Sequence, residues 1–241
     1  MKKLFQRITT KFTIHSKEIL KKIVFNFFYK EIDLRYQLQK IASLDTARYI
    51  KENLQGINSV SNKFEVHNIA IKNITLNGGE ILEFGVYSGG TINYLAKKLP
   101  SKKIYGFDSF EGLPENWRDG FPMGKFNIKK SLPMVKKNVK LLPGWFNESI
   151  PKYLIEHNNN NNLISYLHID CDLYSSTKTI FELLGEKIVS GSIIVFDEYF
   201  NYDGWENGEF LAFQEFINLR NLKYEYLTYN RIHEQVALKI L

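Results

Sequence analysis

Four carboxylate side chains follow two apolar runs of this sequence. Asp170 and Asp172 come directly after one run, and Asp197 and Glu198 come directly after the next. The carboxyl ends of neighbouring parallel strands lie at the same edge of a sheet, so these acids are expected to converge. Convergent carboxylates repel one another unless a cation lies between them. The pattern therefore predicts a divalent cation held by three or four of these side chains.

The ligand types indicate which cation this would be. Carboxylate oxygens favour Mg²⁺, Ca²⁺ or Mn²⁺ over Zn²⁺, and neither His168 nor Cys171 fits a zinc spacing. A hard cation can bind two adjacent substrate hydroxyls and lower the pKa of one of them. The alternative is that Asp172 caps a turn while Asp197 and Glu198 merely end a strand.

A glycine-bearing turn in the first half of the chain predicts the second reactant. Residues 83–91 read E-F-G-V-Y-S-G-G-T, which is typical of a strand, a turn and the start of a helix. A dinucleotide-binding turn would need a glycine where Tyr87 stands. The acid Glu83 before the first glycine suits a ligand with a positive charge. S-adenosylmethionine fits better than NAD, although a glycine-rich turn without a ligand is the alternative.

Two further side chains are candidates for contact with such a nucleoside. Asp108 follows the next predicted strand, where a carboxylate can accept hydrogen bonds from both ribose hydroxyls. Its alternative role is to cap the turn that begins at Ser109. Trp145 follows a third strand and could stack on adenine, but a core position is an equal alternative.

These residues must be positioned by alternating strands and helices. The pattern predicts an α/β, doubly wound, mostly parallel sheet. The last two strands are separated by a short connection, which predicts a hairpin and one antiparallel strand. Residues 57–79 read as polar and mixed, 129–137 as a short helix, and the aromatic loops 111–133 and 200–209 as the walls of the acceptor pocket.

Length and charge divide the chain into a domain and an extension. The 241 residues fit one domain over residues 45–241 and a basic, amphipathic helical extension over residues 1–44. Residues 1–30 hold eight Lys or Arg and one Glu, a balance of +7. Since the whole chain carries +6, the rest sums to −1, which argues against nucleic acid as a partner. The extension could contact an anionic membrane surface, another subunit or its own domain.

The compartment is predicted from cysteine content and hydropathy. There is a single cysteine, Cys171, and no apolar run reaches the roughly 18 residues that a membrane span needs. We therefore expect a cytoplasmic protein, with residues 1–30 as the segment that could touch the inner membrane surface.

Five motifs together resemble the class I S-adenosylmethionine-dependent methyltransferases. They are residues 83–91, G-F-D-S-F-E-G-L-P at 106–114, G-W-F at 144–146, I-D-C-D-L-Y-S-S-T at 169–177 and F-D-E-Y at 196–199. Within that class the chain is similar to the macrocin (TylF/MycF-type) sugar O-methyltransferases from about residue 45 onward. The resemblance implies a seven-stranded sheet and Mg²⁺ held by Asp170, Asp197 and Glu198. Where family members often carry two adjacent aspartates, this chain has Asp197 and Glu198.

The predicted function is Mg²⁺-dependent O-methylation of a sugar hydroxyl in a glycan, glycolipid or glycosylated metabolite, by an enzyme that we expect to be a homo-oligomer. Asp170 is predicted as a metal ligand and proton acceptor, with Asp172 in support. The alternatives are methylation of a catechol-like or other small-molecule diol, and a non-catalytic binding module. The predicted cofactor-binding residues are Glu83, Gly85, Tyr87, Ser88, Gly89, Thr91, Asp108, Ser109, Trp145 and Asp170.

Overall fold

The strands form a single open sheet. The computed structural model describes residues 16–25, 32–129, 131–157 and 163–241. Within them the strand order is β1-β7-β8-β6-β5-β2-β3-β4. The strands are β1 (Ser59–Val60), β2 (Glu80–Phe84), β3 (Ile104–Asp108), β4 (Val139–Pro143), β5 (Ile164–Ile169), β6 (Ile193–Phe196), β7 (Tyr224–Asn230) and β8 (Val236–Ile240).

The fold class predicted from the sequence is confirmed. Strand β8 runs antiparallel to both of its neighbours, β6 and β7, and the other pairs are parallel. The closing hairpin is therefore β7–β8. All seven predicted strands are present, and the two-residue strand β1 adds an eighth at the edge beside β7.

Six helices cover the two faces of this sheet in the described ranges. Strand β2 alternates between the faces: Leu82 and Phe84 belong to one buried cluster and Ile81 to the other. Side chains of the first, fourth, fifth and sixth helices fill the first cluster, and those of the second and third fill the other. The helices are α1 (Leu34–Asn53), α2 (Lys63–Lys72), α3 (Gly90–Lys98), α4 (Phe146–Glu156), α5 (Tyr174–Leu184) and α6 (Glu209–Arg220).

Helix α1 runs through the predicted boundary between residues 44 and 45. Its N-cap is Asp33, whose side chain accepts a hydrogen bond from the backbone N–H of Arg35. Asp45 lies inside the helix and pairs with Arg48 at 2.6 Å. Residues 16–25 are helical, with exposed apolar side chains, and the rest of the basic segment lies outside the described residues. The division into domain and extension stays a prediction.

Helix α2 lies in the stretch that the sequence analysis left without regular structure. Its N-cap is Asn62, whose side chain accepts from the backbone N–H of Phe64 at 2.8 Å. Val66, His67 and Ala70 form its buried face. No helix was predicted here because only three side chains form its buried face, and one of them is a histidine.

The predicted helix over residues 129–137 is wrong. Residues 131–136 form no helix or strand. The Asn93 side chain holds this segment from α3: its Nδ2 donates to the carbonyl of Met134, and its Oδ1 accepts from the N–H of Lys136, both at 2.9 Å. Pro133 also lacks the N–H that a helix interior needs.

Among the described residues, no helix is both long enough and apolar enough to cross a membrane.

Candidate functional site

A cavity of about 680 Å³ opens at the carboxyl ends of the central strands. The turn after β2 lines one side of it, and the acids after β5 and β6 line another. The sheet order places β5 between β2 and β6, so these two groups face the same space. The residues that line the cavity include Gly85, Tyr87, Ser88, Thr91, Asp108, Ser109, Trp145, Asp170, Asp172, Asp197 and Glu198.

The turn after β2 requires glycine at its first position. Gly85 has φ +89°, and a Cβ added there would lie 1.5 Å from the carbonyl oxygen of Asp170. This close approach joins β2 to β5, since the Asp170 N–H also donates to the carbonyl of Phe84 at 2.9 Å. Gly89, with φ +82°, is the N-cap of α3. Gly89 is not among the residues that line the cavity; it lies beside Asn93 and Pro133.

Asp108 ties this turn to the end of β3. Its Oδ2 accepts from the N–H groups of Val86 and Tyr87 at 2.8 and 2.7 Å, and its Oδ1 accepts from that of Phe110 at 2.7 Å. The carboxylate also lines the cavity. The alternative role as a turn cap is therefore observed, and the contact with the ribose hydroxyls stays a prediction.

Glu83 differs from its predicted place. Its side chain is fully buried, does not line the cavity, and accepts at Oε2 from His168 Nδ1 at 3.1 Å. In parallel register Glu83 pairs with His168, which brings the two side chains together beneath the acids. Burial raises the pKa of the Glu83 carboxyl, and His168 counteracts this. The acid is therefore placed to interact with a histidine of the sheet and not with a ligand in the cavity.

Three of the predicted acids converge as expected. Carboxylate oxygens of Asp170, Asp197 and Glu198 lie within 4.8 Å of one another. Two buried oxygens, Asp197 Oδ1 and Glu198 Oε2, accept no hydrogen bond from the described residues. Asp172 stands next to this group with φ +66°, and it also lines the cavity.

Burial and mutual repulsion shift the pKa values of these acids. Burial, and then the charge of Asp197, raise the pKa of both Asp170 and Glu198. Burial raises the pKa of Asp172 to about 7, although Arg118 counteracts it. Burial also acts to raise the pKa of Asp197, but His168 and Lys63 outweigh it and hold that pKa below its usual value. The cluster thus concentrates negative charge around Asp197, where a cation is favoured.

Four site residues were missed from the sequence. Lys63 lines the cavity, with its Nζ 3.9 Å from Asp197 Oδ1. Gln235 Nε2 donates to Asp197 Oδ2 at 3.1 Å. Buried Glu209 accepts at Oε1 from the N–H of Cys171 and at Oε2 from that of Glu198, at 3.3 and 3.4 Å. His67 lies in α2, and the cap at Asn62 was the signal that could have placed both His67 and Lys63 on a helix.

The two aromatic loops behave differently. Gly112, Leu113, Pro114 and Phe126 of the first loop line the cavity. Residues 200–209 do not line it, contrary to the prediction, because the loop folds inward and buries its aromatic rings in the core. Of the two loops, the first therefore forms part of the cavity wall and the second does not.

A clasp fixes the first loop to the turn between β7 and β8. The Arg118 guanidinium lies 3.9 Å from the centroid of the Trp117 ring and also contacts the Tyr202 ring. The same group donates to both carboxylate oxygens of Glu234, at 3.0 and 3.3 Å. This two-point ion pair holds the loop against the sheet edge that carries the acids.

Comparison with known proteins finds a related domain and several similar proteins. Residues 82–199 match a model described as a methyltransferase domain. Two curated relatives are demethyldecarbamoylnovobiocin O-methyltransferase of Streptomyces niveus, 24% identical, and an 8-demethyl-8-(2,3-dimethoxy-alpha-L-rhamnosyl)-tetracenomycin-C 4'-O-methyltransferase of Streptomyces olivaceus, 26% identical. Each match covers 50% of this chain and 53% of the relative. The chain thus spans about half the length of these relatives.

Solved structures agree on the fold. The calicheamicin methyltransferase CalS11 has a TM-score of 0.59 and 23% identity, and the match covers 73% of this chain and 79% of CalS11. The O-methyltransferase NovP has a TM-score of 0.56 and 22% identity, with coverage of 73% and 78%. The resemblance drawn from the five motifs is confirmed by these matches.

Proposed function

We propose that the chain is a class I methyltransferase that transfers a methyl group from S-adenosylmethionine to a hydroxyl group of a sugar. One observation carries this proposal: a single cavity joins the glycine turn after β2 to the acids after β5 and β6. A methyl donor and a hydroxyl acceptor have to meet in such a space, with a base and a cation beside the acceptor.

The turn supplies contacts for the donor. Gly90 and Thr91 begin α3, line the cavity, and follow an N-cap without a side-chain hydrogen bond. The free backbone N–H groups at this N-terminus of α3 can bind the carboxylate of the methionine moiety. Asp108 and Trp145 line the same cavity and are assigned to the ribose and the adenine.

Asp170, Asp197 and Glu198 are assigned to a divalent cation such as Mg²⁺. The set fits this ion because all its ligands are carboxylate oxygens, and two of the oxygens are buried without a hydrogen bond from the described residues. When bound, the ion would lower the pKa of a coordinated acceptor hydroxyl. The three carboxylates would hold it beside the methyl donor.

We assign the proton acceptor to Asp172, although Asp170 was predicted for that role from the sequence. Asp170 belongs to the group of converging oxygens, and Asp172 lines the cavity outside that group. A carboxylate that holds a cation is the weaker base. The Asp172 carboxylate would take the hydroxyl proton as the methyl group passes from the sulfonium sulfur to the acceptor oxygen, with S-adenosylhomocysteine as the second product.

The choice of a sugar as the acceptor is based on the names of the relatives. The Streptomyces olivaceus protein is named for methylation at the 4'-oxygen of a rhamnosyl compound. This chain is 26% identical to that protein over 144 residues, so a sugar acceptor is proposed and the identity of the sugar is the object of the test.

Calorimetric titration with S-adenosylmethionine, with and without Mg²⁺, is the first test. Turnover with a deuterated methyl donor, followed by mass spectrometry, then compares rhamnosyl compounds, nucleotide-linked deoxysugars and catechols. We expect cofactor binding and labelled sugar product. Absence of cofactor binding would remove the enzyme proposal, whereas labelling of catechols alone would replace the sugar by an aromatic diol.

A further inference from the structure

A second group of potential ligands lies behind the acids. It consists of His67 from α2, His168 from β5 and Asp197 at the end of β6. Both histidines are fully buried, and Asp197 is 8% exposed. The two imidazole rings lie edge to face, with their centroids 4.7 Å apart. One site is thus assembled from two histidines 101 positions apart in the sequence and one carboxylate.

The atoms that face one another in this group lack hydrogen-bond partners. Among the described residues, His67 Nε2, His168 Nε2 and Asp197 Oδ1 are all buried and unbonded. One ligand atom from each residue lies within 4.8 Å of the others, and His168 Nε2 is 3.8 Å from Asp197 Oδ1. Buried polar atoms normally have partners, so three unbonded ones that converge are placed to share one ligand.

The outer ring nitrogens are held as they are in metal-binding histidines. His168 Nδ1 is bonded to Glu83 Oε2 at 3.1 Å, and His67 Nδ1 to the Tyr166 hydroxyl at 2.6 Å. With Nδ1 as the donor, each ring would keep the lone pair of its Nε2 free for a ligand. A carboxylate or hydroxyl behind the imidazole fixes ring and tautomer in this way at many metal sites.

Charged side chains of both signs flank the group. The carboxylates of Glu83 and Asp197 flank the His168 ring, and the positive Lys63 Nζ lies 3.9 Å from Asp197 Oδ1. The carboxylate of Asp197 favours a cation beside the two rings, whereas Lys63 opposes one.

We propose that His67, His168 and Asp197 form a binding site for a divalent transition-metal ion, with Zn²⁺ as its representative. Two imidazoles and one carboxylate are ligands of Zn²⁺, Co²⁺ or Fe²⁺ and not of Mg²⁺. Ligand atoms around tetrahedral Zn²⁺ are about 3.3 Å apart, so the 3.8 Å separation of His168 and Asp197 needs only a small contraction. The site shares Asp197 with the acid cluster and would fix that carboxylate from behind.

The test is a Co²⁺ titration of untagged full-length protein, followed by visible absorption and by nitrogen couplings in pulsed electron paramagnetic resonance. The background is Glu198→Gln, which disrupts the all-oxygen cluster. We expect stoichiometric binding with two imidazole ligands, and displacement of Co²⁺ by Zn²⁺. Absence of imidazole coupling in the folded background protein overturns the proposal without any histidine variant.

Four further variants test the assignment of the ligands. His67→Gln and His168→Gln should each weaken Co²⁺ binding at least tenfold, whereas exposed His233→Gln should leave it unchanged. Lys63→Met should tighten binding, because it removes the positive charge near Asp197 Oδ1. Equal Co²⁺ affinity in His168→Gln and the background protein would contradict the site, provided that near-ultraviolet circular dichroism shows both folded.

Discussion

At the residue scale, Gly85 is the position where the backbone leaves no space for a side chain. Its φ of +89° disfavours other residues, and a Cβ would overlap the Asp170 carbonyl oxygen. We expect Gly85→Ala to lower the free energy of unfolding by about 3 kcal/mol or more and to abolish cofactor binding. Urea unfolding and calorimetry measure the two effects. Gly120→Ala is the matched control: Gly120 has φ +84° but no heavy atom near the added Cβ, so a similar loss in both variants would refute the overlap.

Asp108 offers a test of its structural role without any ligand. Its carboxylate accepts three backbone N–H groups, and Asp108→Asn replaces one accepting oxygen by a donor. We expect the cofactor-free protein to lose about 1–3 kcal/mol of unfolding free energy, because buried donors are left without an acceptor. Thermal and urea unfolding measure this loss. Unchanged stability of the cofactor-free variant would show that Asp108 serves a ligand alone.

Asp172 is the residue whose loss should affect chemistry and not binding. We expect Asp172→Asn to lower kcat about a hundredfold or more, as for removal of a general base, while the Kd for S-adenosylmethionine stays near the wild-type value. Steady-state kinetics and calorimetry on the same sample separate these quantities. A variant with normal kcat would return the proton to Asp170 or to solvent.

At the element scale, the clasp between loop 111–126 and the β7–β8 turn controls one wall of the cavity. Arg118→Lys keeps the charge but loses the two-point ion pair with Glu234 and the stacking on Trp117. The loss amounts to about 1–2 kcal/mol, so we expect roughly tenfold faster proteolytic cleavage within the loop. Limited proteolysis with peptide mapping measures the rate, with exposed Arg231→Lys as the control. Equal cleavage rates would mean that the loop is held by its own packing.

The elements also show what the sequence could and could not predict. The strands were readable because β6 is apolar throughout and β5 is mostly apolar, as expected of parallel strands buried on both faces. Asp170 and Asp197 could be placed together because strand ends meet at one edge. The pairing of Glu83 with His168 could not, since it depends on the register of two strands 85 positions apart. Lys63 and His67 were missed with their helix.

At the scale of the whole molecule, helix α1 joins the domain through one face and leaves another apolar face open. Ala42 and Thr46 are its buried residues, whereas Leu34, Leu38, Ile41 and Leu44 are 43–76% exposed. Their spacing places these four side chains on one side of the helix. A contiguous apolar stripe of this kind is typical of a surface that contacts another protein chain. The homo-oligomer predicted from the sequence would bury it.

The last prediction therefore concerns the association of two copies through α1. Ile41→Glu places a charge in the middle of the stripe, and we expect it to weaken self-association at least about tenfold, the cost of one buried aliphatic side chain. Sedimentation equilibrium measures the association constant. Ala47→Glu is the control, because residue 47 is exposed on the same helix but lies away from the stripe. If both variants keep the mass of the parent, the stripe has another occupant, and co-sedimentation with anionic vesicles then compares Ile41→Glu with the parent chain.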